Sequence, residues 1–429
     1  AFFTTTLTPR SANTTMTIQL IRTALAPLVF ALASAGLQAQ TRDEALLARA
    51  TAAQAATVQT LERLVNIESG STNLDGIRAL SQFLESELVA MGAKVTRHTS
   101  TIQGGADNIA GRIEGTGTKH FLMMAHMDTV YPVGTLAKAP FRIDGNRAFG
   151  PGIADDKGGI AVILHSIRLL LERGSKDFAS ITVMFNSDEE VGSRGSSALI
   201  QTLATGSDYV FSFEPTTAMK EMMVMGTSGT AMVTARIKGR SAHAGANPEG
   251  GVNALTEAAD LVLRTQDLDD KARGLRFNWT MGKAGTVRNV IPDEATVEAD
   301  MRFVRNEDME ATLATLKERA ARKRLPDAQV EISSTLGRPA FVAGAQGKRL
   351  IDRANAIYKT LGHEIVVVPV TGGGTDAGFA ALSGKPVIEG MGLPGFGYHS
   401  NQAEYVMVDA IPRRLYLNAQ MVIELNQGD

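Results

Sequence analysis

The sequence predicts an α/β fold, a mostly parallel sheet flanked by helices, with a small inserted α+β lid or dimerisation domain. Three observations carry this. Continuous apolar runs at 121–125, 181–185 and 209–213 have the pattern of strands buried on both faces. Stretches of helical periodicity separate them, as parallel strands need crossover connections. From Thr227 the pattern changes to alternating strands, and the α/β pattern resumes after Gly337-Arg338-Pro339.

In order, residues 41–68 carry apolar side chains at helical spacing, with Leu61, Leu64 and Val65 on one face. A helix over about 75–91 leads through Gly92 into a strand at 94–97. The strand 121–125 ends on His126-Met127-Asp128, 181–185 on Asn186-Ser187-Asp188-Glu189-Glu190, and 209–213 on Glu214-Pro215. A helix apolar almost all round covers 159–173. The inserted region alternates strands at 231–238, 294–304 and 329–334 with helices at 251–265 and 309–322. A helix at 348–361, a strand at 365–369 and the glycine-rich 371–376 follow.

At 429 residues two domains are expected, the first of them discontinuous: 40–226 and 338–429 as the main domain, 227–337 as the insertion. Residues 16–39 read as a secretory signal, with Arg22 before a short apolar region and Leu37-Gln38-Ala39 as cleavage site; residues 1–15 read as a non-native leader. This implies a periplasmic or secreted protein with no membrane span once the leader is removed. With 43 basic and 45 acidic side chains there is no electrostatic footprint for nucleic acid. There are no cysteines, so any metal site must be built from His, Asp and Glu, ligands that suit zinc, cobalt or manganese.

Polar groups gather where strands end, which is where open α/β sheets place their sites. Asp155 and Asp156 sit in the glycine-flanked turn 150–159, directly before an apolar helix. An inward carboxylate there needs a cation: an arginine, a lysine or a metal. Two metals with one histidine and one carboxylate each, and a shared aspartate, would use His126, Asp155, Glu190, Glu214 and His399. Glu189 is then left over as a base for a bridging water. Asp128 could hold the other nitrogen of His126 and fix its tautomer.

His126-Met-Asp128, Gly150-Pro-Gly-Ile-Ala-Asp155-Asp156-Lys, Asp188-Glu189-Glu190-Val-Gly, Phe213-Glu214-Pro and Gly397-Tyr398-His399-Ser stand in the order of the co-catalytic zinc peptidases of the M20 type. Over essentially the whole mature chain the sequence resembles that family, and within it the bacterial folate-hydrolysing glutamate carboxypeptidases. The resemblance implies two Zn2+ per subunit, with Co2+ or Mn2+ as substitutes, bridged by Asp155. One ion takes His126 and Glu214, the other Glu190 and His399, with Glu189 as general acid/base and a cis Asp155–Asp156 peptide. It further implies a homodimer through the inserted domain, with His243 reaching a partner subunit's site to stabilise the oxyanion.

Arg338 is the expected clamp for the α-carboxylate of a small N-acyl amino acid or folate-like substrate, because guanidinium binds carboxylate in bidentate fashion. Asn289 would add hydrogen bonds, and Gly373 falls in a loop expected to line the pocket. Arg302 reads either as a carboxylate contact or as a surface residue. His98, His120, His165 and His363 fall at helix or surface positions without partners.

The pattern departs from the folate-cleaving relatives at Met222, where a lysine is expected. Lys220 could substitute from the same face at a different depth. This shifts the expected preference away from C-terminal glutamate and leaves an aminoacylase or dipeptidase as the nearest alternative. From another class, a periplasmic solute-binding protein would share two α/β lobes and a leader. It would need neither the five ligands nor Glu189.

Overall fold

The computed structural model describes residues 41–428, so the readings of 1–15 and 16–39 lie outside the described residues. The central sheet has six strands in the spatial order Lys94–His98, Asn108–Glu114, Ser180–Asn186, His120–His126, Tyr209–Ser212 and Val387–Glu389. The last three pairings are parallel and the first two antiparallel, so the parallel part lies at the sheet's centre and one edge. Strands His120–His126 and Ser180–Asn186 are central, which is why they read as unbroken apolar runs. Because they and Tyr209–Ser212 are parallel, His126, Asn186 and Ser212 leave the sheet at the same edge.

The helix Lys157–Arg173 is buried nearly all round. The helices Gln54–Val65 and Ile411–Asn426 share its apolar core through Leu61, Leu64, Leu415 and Val422. The helical stretch expected over 41–68 is two helices, Glu44–Ala52 and Gln54–Val65, joined at Ala53. Asp43 caps the first by accepting from Leu46 N at 2.9 Å, a contact of the kind that contributes about 1 kcal/mol.

A second sheet is antiparallel, in the order Arg276–Ala284, Glu294–Phe303, Gly229–Lys238 and Gln329–Arg338. One of its faces packs Val233, Ala235 and Ile237 against Ala258 and Leu261 of helix Ala254–Leu263 and Leu316 of helix Asn306–Ala321. This apolar cluster draws on residues 231–340 alone.

Two of the four histidines expected to lack partners have them. His120 Nδ1 meets Ser180 Oγ at 2.8 Å, and His165 Nε2 meets Thr60 Oγ1 at 2.9 Å between two packed helices. Burial, with Arg168 adding to it, pushes the His165 imidazole down from 6.5 to about 4. Its folded value lies below its unfolded one, so between those pH values the unfolded chain binds more protons and stability falls as pH drops. Between pH 7 and 4.5 the wild type should therefore lose about 2 kcal/mol more than His165→Gln. Urea unfolding at the two pH values measures this, and equal losses would contradict it.

Candidate metal centre

The loop between Gly150 and the helix Lys157–Arg173 is tightly constrained. Gly152 has φ 70°, a conformation that side chains disfavour. A Cβ on Gly159 would come within 2.2 Å of Asp156 Oδ1 and 2.3 Å of the Phe213 carbonyl oxygen, so only glycine lets the helix start this close to the next strand. The Asp155–Asp156 peptide is cis, as the resemblance implies.

Asp155 stands between two imidazoles. Its Oδ1 lies 2.9 Å from His126 Nε2 and its Oδ2 lies 3.1 Å from His399 Nε2. On the first side Glu214 Oε1 is 3.9 Å from His126 Nε2; on the second Glu190 Oε2 is 3.0 Å from His399 Nε2. The ligand atoms of His126, Asp155 and Glu190 also lie within 4.8 Å of one another. The closer pairwise distances sort the five residues differently, as two sets sharing Asp155, and a bridging carboxylate accounts for both groupings. All five therefore converge, with His126 and Glu214 on one side of Asp155 and Glu190 and His399 on the other.

The charges fit cations. Burial and the neighbouring Asp155 raise the Glu214 carboxyl well above its usual range. Burial works to raise Asp155 too, but hydrogen bonds with both histidines hold it below the carboxylate range. Burial opposes charge on His126, yet its bonds to Asp128 and Asp155 keep it well above its ordinary value. His399, hydrogen-bonded to Asp155 and Glu190, is pushed up to about 10. A carboxylate cluster buried to this degree demands positive charge, which metal cations would supply with the imidazoles as neutral ligands. Glu190 Oε1 is buried without a hydrogen-bond partner, a free lone pair inside the donor set. The His, Asp and Glu donors suit zinc.

Glu189 is 5% exposed, and burial pushes its carboxyl up to about 8 against the pull of His126 and Arg338. Its position comes from Asp128, whose oxygens accept from Glu189 N at 2.9 Å and Glu190 N at 3.1 Å. The expected role of Asp128 is corrected in part. His126 Nδ1 is nearest the Asp128 backbone oxygen, at 2.9 Å, while the carboxylate stands 3.5 Å away. The tautomer is held by that main-chain oxygen, and the carboxylate holds the Glu189-Glu190 turn.

Arg338 lies beside the cluster, its Nη2 2.8 Å from Glu189 Oε1 and its Nη1 donating to Gly374 O at 2.9 Å. Its Nε is buried and has no acceptor. Gly373 belongs to the same loop and accepts from Ser228 N at 3.1 Å. His243 and Asn289 are brought together, since Ala244 N donates to Asn289 O at 2.9 Å, and both are exposed. Among the described residues no hydrogen bond or ion pair joins either to the five ligands. Arg302 is half-buried on the second sheet, where its Nε pairs with Asp300 at 3.0 Å.

A family model described as Peptidase family M20/M25/M40 matches residues 122–424. The chain is also 57% identical over 408 residues to Carboxypeptidase G2 of Pseudomonas sp. (strain RS-16), covering 95% of this chain and 98% of that protein. The chain belongs to peptidase family M20/M25/M40. Among solved structures it is similar to aminopeptidase PepT from Bacillus cereus ATCC 10987, with TM-score 0.72, 24% identity, and 87% and 98% of the two chains covered. It is also similar to the YXEP protein of Bacillus subtilis, described as a dinuclear metal binding peptidase of the M20 family. There the TM-score is 0.64 at 16% identity, covering 88% of this chain and 100% of that one. These two likenesses speak for the fold.

Two buried carboxylates near this cluster, Glu404 and Asp376, were not among the residues predicted from the sequence. Glu404 accepts from three backbone N–H groups of the Asp155 loop. Asp376 is buried and accepts from Asn186 Nδ2 at 2.6 Å and from the Ser193 hydroxyl. Their partners lie far off in sequence, and no local signal marks either one.

Proposed function

We propose that this M20 peptidase is an exported dinuclear zinc carboxypeptidase that hydrolyses the amide bond to a C-terminal amino acid in folate-like or N-acyl-glutamate substrates. The observation that carries this is the division of His126, Glu214, Glu190 and His399 into two pairs around Asp155, with Glu189 beside them, in a chain so similar to Carboxypeptidase G2. Two zinc ions held by these residues would supply Lewis acidity to the scissile carbonyl and to the attacking water. Co2+ or Mn2+ could take the same donors.

Glu189 accepts the proton of that water and returns it to the leaving nitrogen. Its carboxyl, at about 8 without ions, shifts toward the base form when positive charge enters beside it. Arg338 is the clamp for the substrate α-carboxylate, and it stands beside the cluster with Nη2 2.8 Å from Glu189 Oε1 and Nη1 on Gly374 O. Gly373 lies in the loop lining the pocket, and Asn289 adds neutral hydrogen bonds.

His243 Nδ1 accepts from Gly245 N and Ala246 N at 3.2 and 3.0 Å, so the ring proton sits on Nε2, as an oxyanion donor requires. It serves a partner subunit's site in a homodimer built through 227–337. The exposed Leu255 and Leu263 beside the sheet's edge strand Arg276–Ala284, around a cavity of about 520 Å³, support that face. Leu263→Glu should convert a species of twice the chain mass into single chains in sedimentation. An unchanged mass would contradict this interface. The leader reading of 16–39 supports a periplasmic or secreted enzyme. No helix among the described residues is long and apolar enough to cross a membrane.

One observation favours the M20 aminoacylase or dipeptidase alternative acting on non-glutamate substrates. Met222 opens the strand Met222–Val224 half-buried, and Lys220 is exposed ahead of that strand. A thioether therefore stands at the position where the expected lysine would meet a glutamate side chain. On that alternative, kcat/KM for N-acyl-Glu would fall within about tenfold of N-acyl-Leu or N-acyl-Phe, since an exposed charge contact contributes about 1 kcal/mol. A strong glutamate preference would overturn it, and Met222→Lys should move the ratio toward glutamate.

A further inference from the structure

Glu404 lies five positions beyond His399, in a segment whose neighbour Tyr405 pairs antiparallel with Phe149. The pairing brings its side chain under the loop that bears Asp155. Glu404 Oε2 accepts from Gly152 N at 2.9 Å, and Oε1 accepts from Ala154 N at 2.7 Å and Asp155 N at 3.0 Å. Its own backbone oxygen accepts from Gly150 N at 3.2 Å, and Tyr131 lines the same cavity as Glu404. The side chain is 5% exposed.

Four N–H groups of one turn are thus satisfied by one residue. A buried carboxylate is costly unless its lone pairs are used, and here backbone donors use both oxygens. The same segment carries His399, whose Nε2 faces Asp155 Oδ2 at 3.1 Å. The distance between these two ligands is therefore set from one short stretch of chain, through the imidazole at one end and the carboxylate at the other.

We infer that Glu404 is a positioning residue that holds the Asp155 loop at the spacing the paired metal site needs, so that it sets how tightly the metals are retained. This rests on the two-zinc reading above. Glutamine in its place keeps the volume, but turns one acceptor into an NH2 group that faces a backbone N–H. The loop then loses a bond and gains a donor-donor contact. A group that orients ligands in this way governs metal affinity by roughly 10- to 100-fold.

The test is an equilibrium competition between zinc-loaded full-length enzyme and a chromophoric zinc chelator, with kcat measured at saturating zinc. Glu404→Gln should hold zinc at least tenfold more weakly, while kcat in excess zinc returns to within a few-fold of wild type. Glu257→Gln is the control for general destabilisation. Glu257 is buried far along the chain, pairing with Arg264 at 2.9 Å, and its replacement should lower Tm and leave zinc retention unchanged. If Glu404→Gln does not fold, Glu404→Asp keeps the charge but draws the carboxylate back from the Gly152, Ala154 and Asp155 N–H groups, and it should shift retention in the same direction. Zinc retention equal to wild type in the soluble variant, or an equal loss in Glu257→Gln, would overturn the inference. A wild type that retains no zinc would instead overturn the two-zinc reading.

Discussion

Glu189→Gln should retain its metal and lose nearly all activity, with kcat falling roughly 10²- to 10⁴-fold and KM changing little, the range expected for a lost general acid/base. Glutamine fills the same volume in a site only 5% exposed, and its amide oxygen can still accept from Arg338 Nη2, now 2.8 Å from Glu189 Oε1. The backbone N–H keeps its 2.9 Å bond to Asp128, so the turn that carries Glu190 stays in place. What is lost is the capacity to take and return a proton. Steady-state kinetics on methotrexate and a set of N-acyl amino acids would show it. Near-full activity would mean that the base is misassigned.

Asp155→Ala should cost both metals, because its two oxygens serve both sides, 2.9 Å from His126 and 3.1 Å from His399. Alanine leaves each side with one histidine and one glutamate, and zinc sites ordinarily need three protein ligands or more. Zinc content after desalting should fall to near zero, and kcat at least about 10³-fold, the scale at which removing a whole catalytic assembly is felt. Asp156→Asn is the contrast. That carboxylate is buried but absent from the ion pairs that link Asp155 to both histidines. The asparagine variant should keep its zinc and most of its rate. Equal damage in the two variants would mean that Asp156, too, ligates.

Most of the proposed ligands were legible because they accompany a feature that sequence displays. His126 ends one buried strand and Glu214 comes two residues after another, Glu189 and Glu190 follow the strand Ser180–Asn186, and Asp155 lies in a glycine-rich turn. The parallel core was legible for the same reason, since strands buried on both faces read as unbroken apolar runs. The edge strand Arg276–Ala284 was not. It is mostly exposed, and a bulge between Trp279 and Met281 breaks the alternation that would reveal it. Glu404 was illegible for a different reason. It bonds a loop about 250 positions away, and a glutamate in a turn looks like surface until the chain is folded. The Arg338 contact with Glu189, 149 positions apart, belongs to the same class.

Metal stoichiometry tests most directly whether Asp155 bridges a paired site. Enzyme stripped of metal and titrated with zinc, with elemental analysis and activity followed together, should take up two ions per chain and reach full activity only as the second is bound. Full activity with one ion or none would contradict the account.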